Sequence, residues 1–155
     1  DHIGKPDIAS GRMEPWKTEI AELARISNVR CKLSGMVTEA DHQSWTLDDL
    51  KSYIDHVVES FGFDRVMFGG KWPVVLNAAP YARWVETLVE VLVGSSEDEL
   101  RKVFHDNVVD FYRLDRGCSH VTHDRQRVMA ETPAGYGVDH VFFGHRLAGG
   151  RRWRT

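Results

Sequence analysis

The strongest indication of the architecture is the segment Val66-Met67-Phe68-Gly69-Gly70-Lys71-Trp72-Pro73-Val74. A short apolar run ends in two glycines, a lysine and Trp-Pro, and a helical pattern begins at Tyr81. Glycine permits a sharp turn, and proline cannot continue the hydrogen-bond ladder of a strand. The segment therefore predicts a strand over 66–69. In a strand-helix unit the residues that follow the strand face the ligand, and the residue there is Lys71.

Two further strands are predicted on the amino-terminal side of that segment. Within residues 28–35, Val29, Cys31 and Leu33 occupy every second position, and the segment ends in Ser-Gly, which is typical of a strand. Residues 1–4 are interpreted as another strand or the end of one. Because strands alternate with helices, the pattern predicts an α/β fold with a parallel sheet and right-handed crossovers.

Amphipathic segments predict the helices that alternate with these strands. They start near Pro15, at Thr46, at Tyr81 and at Ser96, and each places apolar residues at helical spacing. Two of them begin with the sequence of a capping box, in which a hydroxyl residue precedes an acidic residue by three positions. These pairs are Thr46 with Asp49 and Ser96 with Glu99.

Composition limits the classes of protein that this chain can represent. It has 155 residues, a net charge of −3 and a pI near 6.2, which do not point to nucleic acid or to a membrane surface as a partner. No apolar run reaches the roughly 18 residues of a transmembrane helix, and no signal peptide is recognisable. The two cysteines indicate no disulfide framework. We therefore expect a soluble, cytoplasmic protein.

The chain divides into a body, residues 1–114, and a tail, residues 115–155. All six lysines lie in the body, whereas the tail has seven arginines and no lysine. The tail lacks sustained periodicity and is expected to be mostly irregular. Residues 129–143 weakly resemble the start of thiamine-diphosphate-dependent enzymes of the acetolactate-synthase type. A read-through from one reading frame into a neighbouring one would explain such a tail.

Three segments of the body resemble the carboxy-terminal part of the amidohydrolase-related family. They are Asp1-His2-Ile3-Gly4-Lys5-Pro6, Cys31-Lys32-Leu33-Ser34-Gly35 and Phe68-Gly69-Gly70-Lys71-Trp72-Pro73-Val74. The similar branch contains sugar-acid lactonases and 2-pyrone-4,6-dicarboxylate lactonase. Residues 109–114 are also similar to the closing helix of that family.

The resemblance implies a partial TIM barrel in residues 1–114. It comprises the last three strand-helix units and the closing helix, and it is not a closed barrel. A complete (β/α)₈ barrel needs at least roughly 200 residues, and the chain opens without an initiating Met, so we expect a fragment of a longer protein. The open sheet edges predict possible self-association.

The resemblance also implies a set of site residues. His2 matches the histidine after strand six and is a candidate catalytic residue, and a metal ligand only if a metal is bound. The parent enzyme is expected to use no cofactor or one divalent metal such as zinc, and to act on a small-molecule lactone. Lys32 and Trp72 are candidate substrate-binding residues. For Lys32, a solvated or snorkelling side chain is an equal alternative, and Trp72 is as often a packing residue.

Lys71 stands where the family has the aspartate that takes a proton from the hydrolytic water or binds a metal. An ammonium group can neither accept a proton nor ligate a cation. Three hypotheses follow for the function. The chain is part of a lactone-hydrolysing enzyme, or it is a non-catalytic pseudoenzyme or inert fragment, or Lys71 forms a Schiff base as in an aldolase.

Overall fold

A computed structural model describes residues 1–114. The predictions for the tail lie outside the described residues and stay predictions. Short 3₁₀ turns connect the main elements and cover His2–Gly4, Ile8–Ser10, Phe63–Arg65 and Val74–Asn77, and a π-helical turn over Lys102–Asp106 joins the last two helices. The helices and strands are α1 (Trp16–Ala24), β1 (Cys31–Leu33), α2 (Leu47–Phe61), β2 (Val66–Phe68), α3 (Tyr81–Val91), α4 (Glu97–Arg101) and α5 (Asn107–Tyr112).

The two strands pair in parallel, as the sequence predicts. Cys31 is opposite Val66, and Leu33 is opposite Phe68. The pairing continues one step further, because the Gly69 N–H donates to the Leu33 carbonyl at 2.9 Å. The sheet of the described residues has these two strands and is not closed. Both strands therefore end at the same edge, where the predicted site residues follow them.

The prediction of a strand near residues 1–4 is wrong. His2 and Ile3 have φ values of 55° and 45°, in the left-handed region, so the backbone cannot extend along a ladder. The segment forms a 3₁₀ turn instead. It nevertheless packs beside β1, and its Ile3 carbonyl accepts a hydrogen bond from the Trp16 indole at 2.5 Å.

Both predicted capping boxes are present. The Thr46 N–H donates to the Asp49 carboxylate at 2.7 Å, and the Ser96 N–H donates to the Glu99 carboxylate at 2.7 Å. The helix capped by Ser96 is not α-helical throughout, because a π-helical turn lies between α4 and α5. No helix among residues 1–114 is long and apolar enough to cross a membrane.

The core lies on one face of the sheet, between the strands and the helices. Leu33 and Val66 are fully buried there against α2. Met67 is also buried, but it points to the opposite face and is not part of that core. The helices thus cover one face of the sheet and position the turns at the strand ends.

Asn107, at the start of α5, connects the last helix to the start of β2 by hydrogen bonds. Its side-chain amide donates to the carbonyls of Phe63 and Val66, both at 2.6 Å. A carbonyl that loses its donor in a partly buried place is costly to leave unpaired.

We predict that Asn107→Ala lowers the free energy of unfolding by about 1–3 kcal/mol, because it leaves both carbonyls without this donor. Urea denaturation of the purified chain measures the change. Asn77→Ala is the matched control, because Asn77 is exposed, and surface substitutions of this kind change stability by at most about 0.5 kcal/mol. Equal losses for the two variants would contradict the role given to Asn107.

Candidate functional site at the strand ends

The turns that follow β1 and β2 lie side by side because the two strands are parallel. Ser34 and Gly35 follow β1, and Gly69, Gly70 and Lys71 follow β2. The turn at the amino terminus joins them, since Nδ1 of His2 is 2.6 Å from the Ser34 hydroxyl. The structure therefore brings His2 and the Lys71 turn to the same edge of the sheet, as the sequence predicts.

Lys71 does not extend into solvent. Its side chain is 12% exposed, and its ammonium donates to the Thr38 hydroxyl at 2.9 Å and to Oε1 of Glu39 at 3.2 Å. The Glu39 side chain is 23% exposed and also lies 3.5 Å from the Lys5 ammonium. We call Lys5, Thr38, Glu39 and Lys71 the Lys71 cluster.

Gly35 makes the space in which the Lys71 side chain lies. A Cβ atom added at Gly35 would be 2.6 Å from Cδ and 2.8 Å from Nζ of Lys71, which is shorter than any ordinary contact. Gly35 also has a φ of 68°, which other residues adopt only with strain. The position of the Lys71 ammonium thus depends on a glycine that follows the neighbouring strand.

The cluster affects the protonation of His2. Burial lowers the pKa of His2 from its ordinary value of 6.5, and the positive charge of Lys71 is the next largest cause in the same direction. Both effects disfavour the imidazolium. Nδ1 of His2 is hydrogen-bonded to the Ser34 hydroxyl, and no described residue forms a hydrogen bond with Nε2. Nε2 is therefore the ring nitrogen that is available to bind a ligand.

The other two predicted site residues lie in different surroundings. The Lys32 ammonium donates to the Tyr112 hydroxyl at 2.7 Å and pairs with Asp1 at 3.0 Å. It lines a cavity of about 230 Å³ together with Met67, on the face of the sheet opposite the core. Trp72 is 70% exposed and makes no described ring contact. A role of either residue in substrate binding stays a prediction.

Sequence reasoning missed Ser34, Thr38 and Glu39 as members of the site. Ser34 belongs to the Lys-Leu-Ser-Gly segment, but the alternating pattern of that segment indicates only the end of a strand. Thr38 and Glu39 lie in an irregular loop and carry no periodic signal. Their contacts with Lys71 join residues 33 and 32 positions apart, which no local pattern reveals.

A family model described as amidohydrolase matches residues 1–114. The chain belongs to the amidohydrolase family. It is therefore related to hydrolases, and the resemblance of its three motifs to that family is confirmed.

Two similar relatives are named L-fucono-1,5-lactonase. The one from Burkholderia ambifaria is 38% identical over 122 residues, covering 75% of this chain and 41% of its own length. The one from Burkholderia multivorans is 40% identical over 99 residues, covering 58% of this chain and 33% of its own length. The chain thus spans less than half the length of these relatives.

Two solved structures have a fold similar to that of this chain. An amidohydrolase from Burkholderia multivorans, crystallised with bound zinc, is 32% identical with a TM-score of 0.69, covering 73% of this chain and 42% of its own. A proposed 2-pyrone-4,6-dicarboxylic acid hydrolase from Pseudomonas putida is 22% identical with a TM-score of 0.60, covering 74% and 42%. The second shows likeness of fold alone.

The described residues do not fit a metal site by themselves. Nε2 of His2 is a possible ligand, but the neighbouring position holds an ammonium, which has no lone pair to give and repels a cation. Among residues 1–114 no three His, Cys, Asp or Glu side chains are grouped so that they could hold a metal ion. The chemistry of Lys71, rather than its position, is what disagrees with a metal here.

We predict that Lys71→Met raises the pKa of His2, because it removes a positive charge that disfavours the imidazolium. An NMR titration of the histidine ring signals measures the pKa. Lys51→Met is the matched control, because Lys51 is half exposed on α2 and pairs with Asp55; it leaves the His2 pKa unchanged. An unchanged His2 pKa in Lys71→Met would show that the ammonium does not act on the ring.

Proposed function

We propose that this chain is part of an enzyme that hydrolyses a lactone. Family membership supports a hydrolase, and the two similar relatives named L-fucono-1,5-lactonase support a sugar-acid lactone as the substrate class. A partial TIM barrel, of which residues 1–114 contain two strand-helix units and the turn at His2–Gly4, fits the coverage of about two fifths of those proteins. A pyrone dicarboxylate substrate rests on the sequence resemblance alone.

In the parent reaction, water attacks the carbonyl carbon of the cyclic ester. The ring C–O bond then breaks, the ring oxygen takes a proton, and the product is an open hydroxy acid. A positioned base that removes a proton from the attacking water accelerates this step. His2, at the strand ends with a ring nitrogen available, is a residue that can contact the substrate there.

Family membership carries the proposal for the parent enzyme, whereas the hydrogen bonds of Lys71 determine what this chain can do by itself. The Lys71 ammonium donates to Thr38 and Glu39. The sequence resemblance implies that position 71 is where the family motif has the proton-accepting aspartate. A protonated amine cannot accept a proton from water. We therefore infer that the chain as it stands does not hydrolyse lactones above background.

The same observation favours a second function, that of a non-catalytic member of the family. Such a chain would keep the strand-end surface but not the base. The two-stranded sheet of residues 1–114 also leaves edges whose backbone groups can pair with another chain, so self-association is part of this alternative. A Schiff-base role for Lys71 has less support, because the ammonium is held by an ion pair.

The test replaces the matching part of the Burkholderia ambifaria lactonase with residues 1–114, once with Lys71 and once with Lys71→Asp. We predict that the Asp graft hydrolyses L-fucono-1,5-lactone and that the Lys graft is slower by about 10²–10⁴, the usual cost of losing a positioned base. Release of acid at constant pH measures turnover.

A third graft, with Lys51→Asp and Lys71 kept, controls for the change of charge and is predicted to be as slow as the Lys graft. Equal turnover with Lys or Asp at position 71 would contradict the proposal, because it would show that the base lies elsewhere. A folded but inactive Asp graft would argue against lactone hydrolysis as the parent reaction.

A further inference from the structure

Within residues 1–114, one N–H group of the Lys71 ammonium has no hydrogen-bond acceptor. An ammonium carries three N–H groups. One donates to Thr38 and another to Glu39, and no residue of the described range 1–114 accepts the third. A donor on a side chain that is only 12% exposed has restricted access to water. A ligand with an acceptor oxygen can complete this set of hydrogen bonds.

The charges of the Lys71 cluster do not balance. Lys5 and Lys71 both approach Oε1 of Glu39, at 3.5 Å and 3.2 Å, so one carboxylate faces two ammonium groups. Asp1 does not compensate for this excess, because it pairs with Lys32. Counted over the described residues 1–114, the cluster therefore carries one positive charge in excess, beside His2, whose pKa is lowered. A monovalent anion matches that excess.

The ammonium is also held in place before any ligand arrives. The aliphatic part of Lys71 lies over Gly35, where a Cβ atom would collide with it. Thr38, which accepts from Lys71, donates its own hydroxyl to the Gly35 carbonyl at 2.8 Å. Because the side chain is already ordered, little conformational entropy is left to lose on binding.

We propose that the Lys71 cluster binds one carboxylate anion, with Lys71 and Lys5 as the two donors and Glu39 as the group that sets the affinity. The site takes a small monocarboxylate. That the natural ligand is an open hydroxy acid rests on the proposed function, whereas carboxylate binding itself does not. A site of this kind recognises the product by the negative charge of its carboxylate.

Acetate is the probe, added to the full 155-residue chain at constant ionic strength by replacing chloride. We expect saturable shifts in the backbone amide NMR signals of residues 69–72 and of residues 35–39. Acetamide, which has the same shape but no charge, is expected to give none at equal concentration. No saturable acetate shift, or equal shifts with acetamide, would overturn the proposal.

Two variants separate this site from binding elsewhere. Lys71→Met is expected to weaken acetate binding about tenfold or more, because it removes a charge-assisted hydrogen bond, while Lys51→Met binds as the original chain does. Wild-type affinity in Lys71→Met, or an equal loss in Lys51→Met, would overturn the proposal.

Glu39→Gln gives an expectation that a merely structural role would not produce. It removes the carboxylate that competes for Lys71 and Lys5, so acetate is expected to bind several-fold tighter. Weaker or unchanged binding in a folded Glu39→Gln chain would overturn the proposal even if Lys71→Met failed to fold. The outcome is independent of the lactonase graft, whose failure would leave acetate binding unchanged.

Discussion

The parallel pairing of β1 with β2 is the constraint on which the strand-end site depends. Parallel strands end at the same edge, so the turn at Gly35 and the turn at Lys71 become neighbours although 36 positions separate them. In that arrangement Gly35, which has no Cβ atom, leaves a space beside the other turn, and the side chain of Lys71 fills that space. The pairing thus places the Lys71 side chain against Gly35.

Lys71 determines the charge at this edge of the sheet. The Thr38 hydroxyl and the Glu39 carboxylate accept two of its N–H groups, and the ammonium places a positive charge at the strand ends. The effect reaches His2, whose imidazolium is disfavoured by burial and by that charge. The positive charge of Lys71 at this edge is the feature from which we propose carboxylate binding.

Local chemistry was predictable from the sequence, and long-range geometry was not. The capping boxes at Thr46 and Ser96 depend on residues three positions apart, so their patterns sufficed. The left-handed turn at His2 was missed, because nothing in its sequence excludes a strand. The pairing of Lys71 with Glu39 was missed as well, since it depends on the register of two strands that no short segment encodes.

A double-mutant cycle between Lys71 and Glu39 tests most directly whether the ion pair exists in the folded chain. The free energy of unfolding is measured for the original chain, Lys71→Met, Glu39→Gln and the double variant. Because both side chains are largely buried, the account predicts a coupling of about 1 kcal/mol between the two substitutions. Effects that add within about 0.3 kcal/mol would contradict it, because Lys71 would then not be held by Glu39.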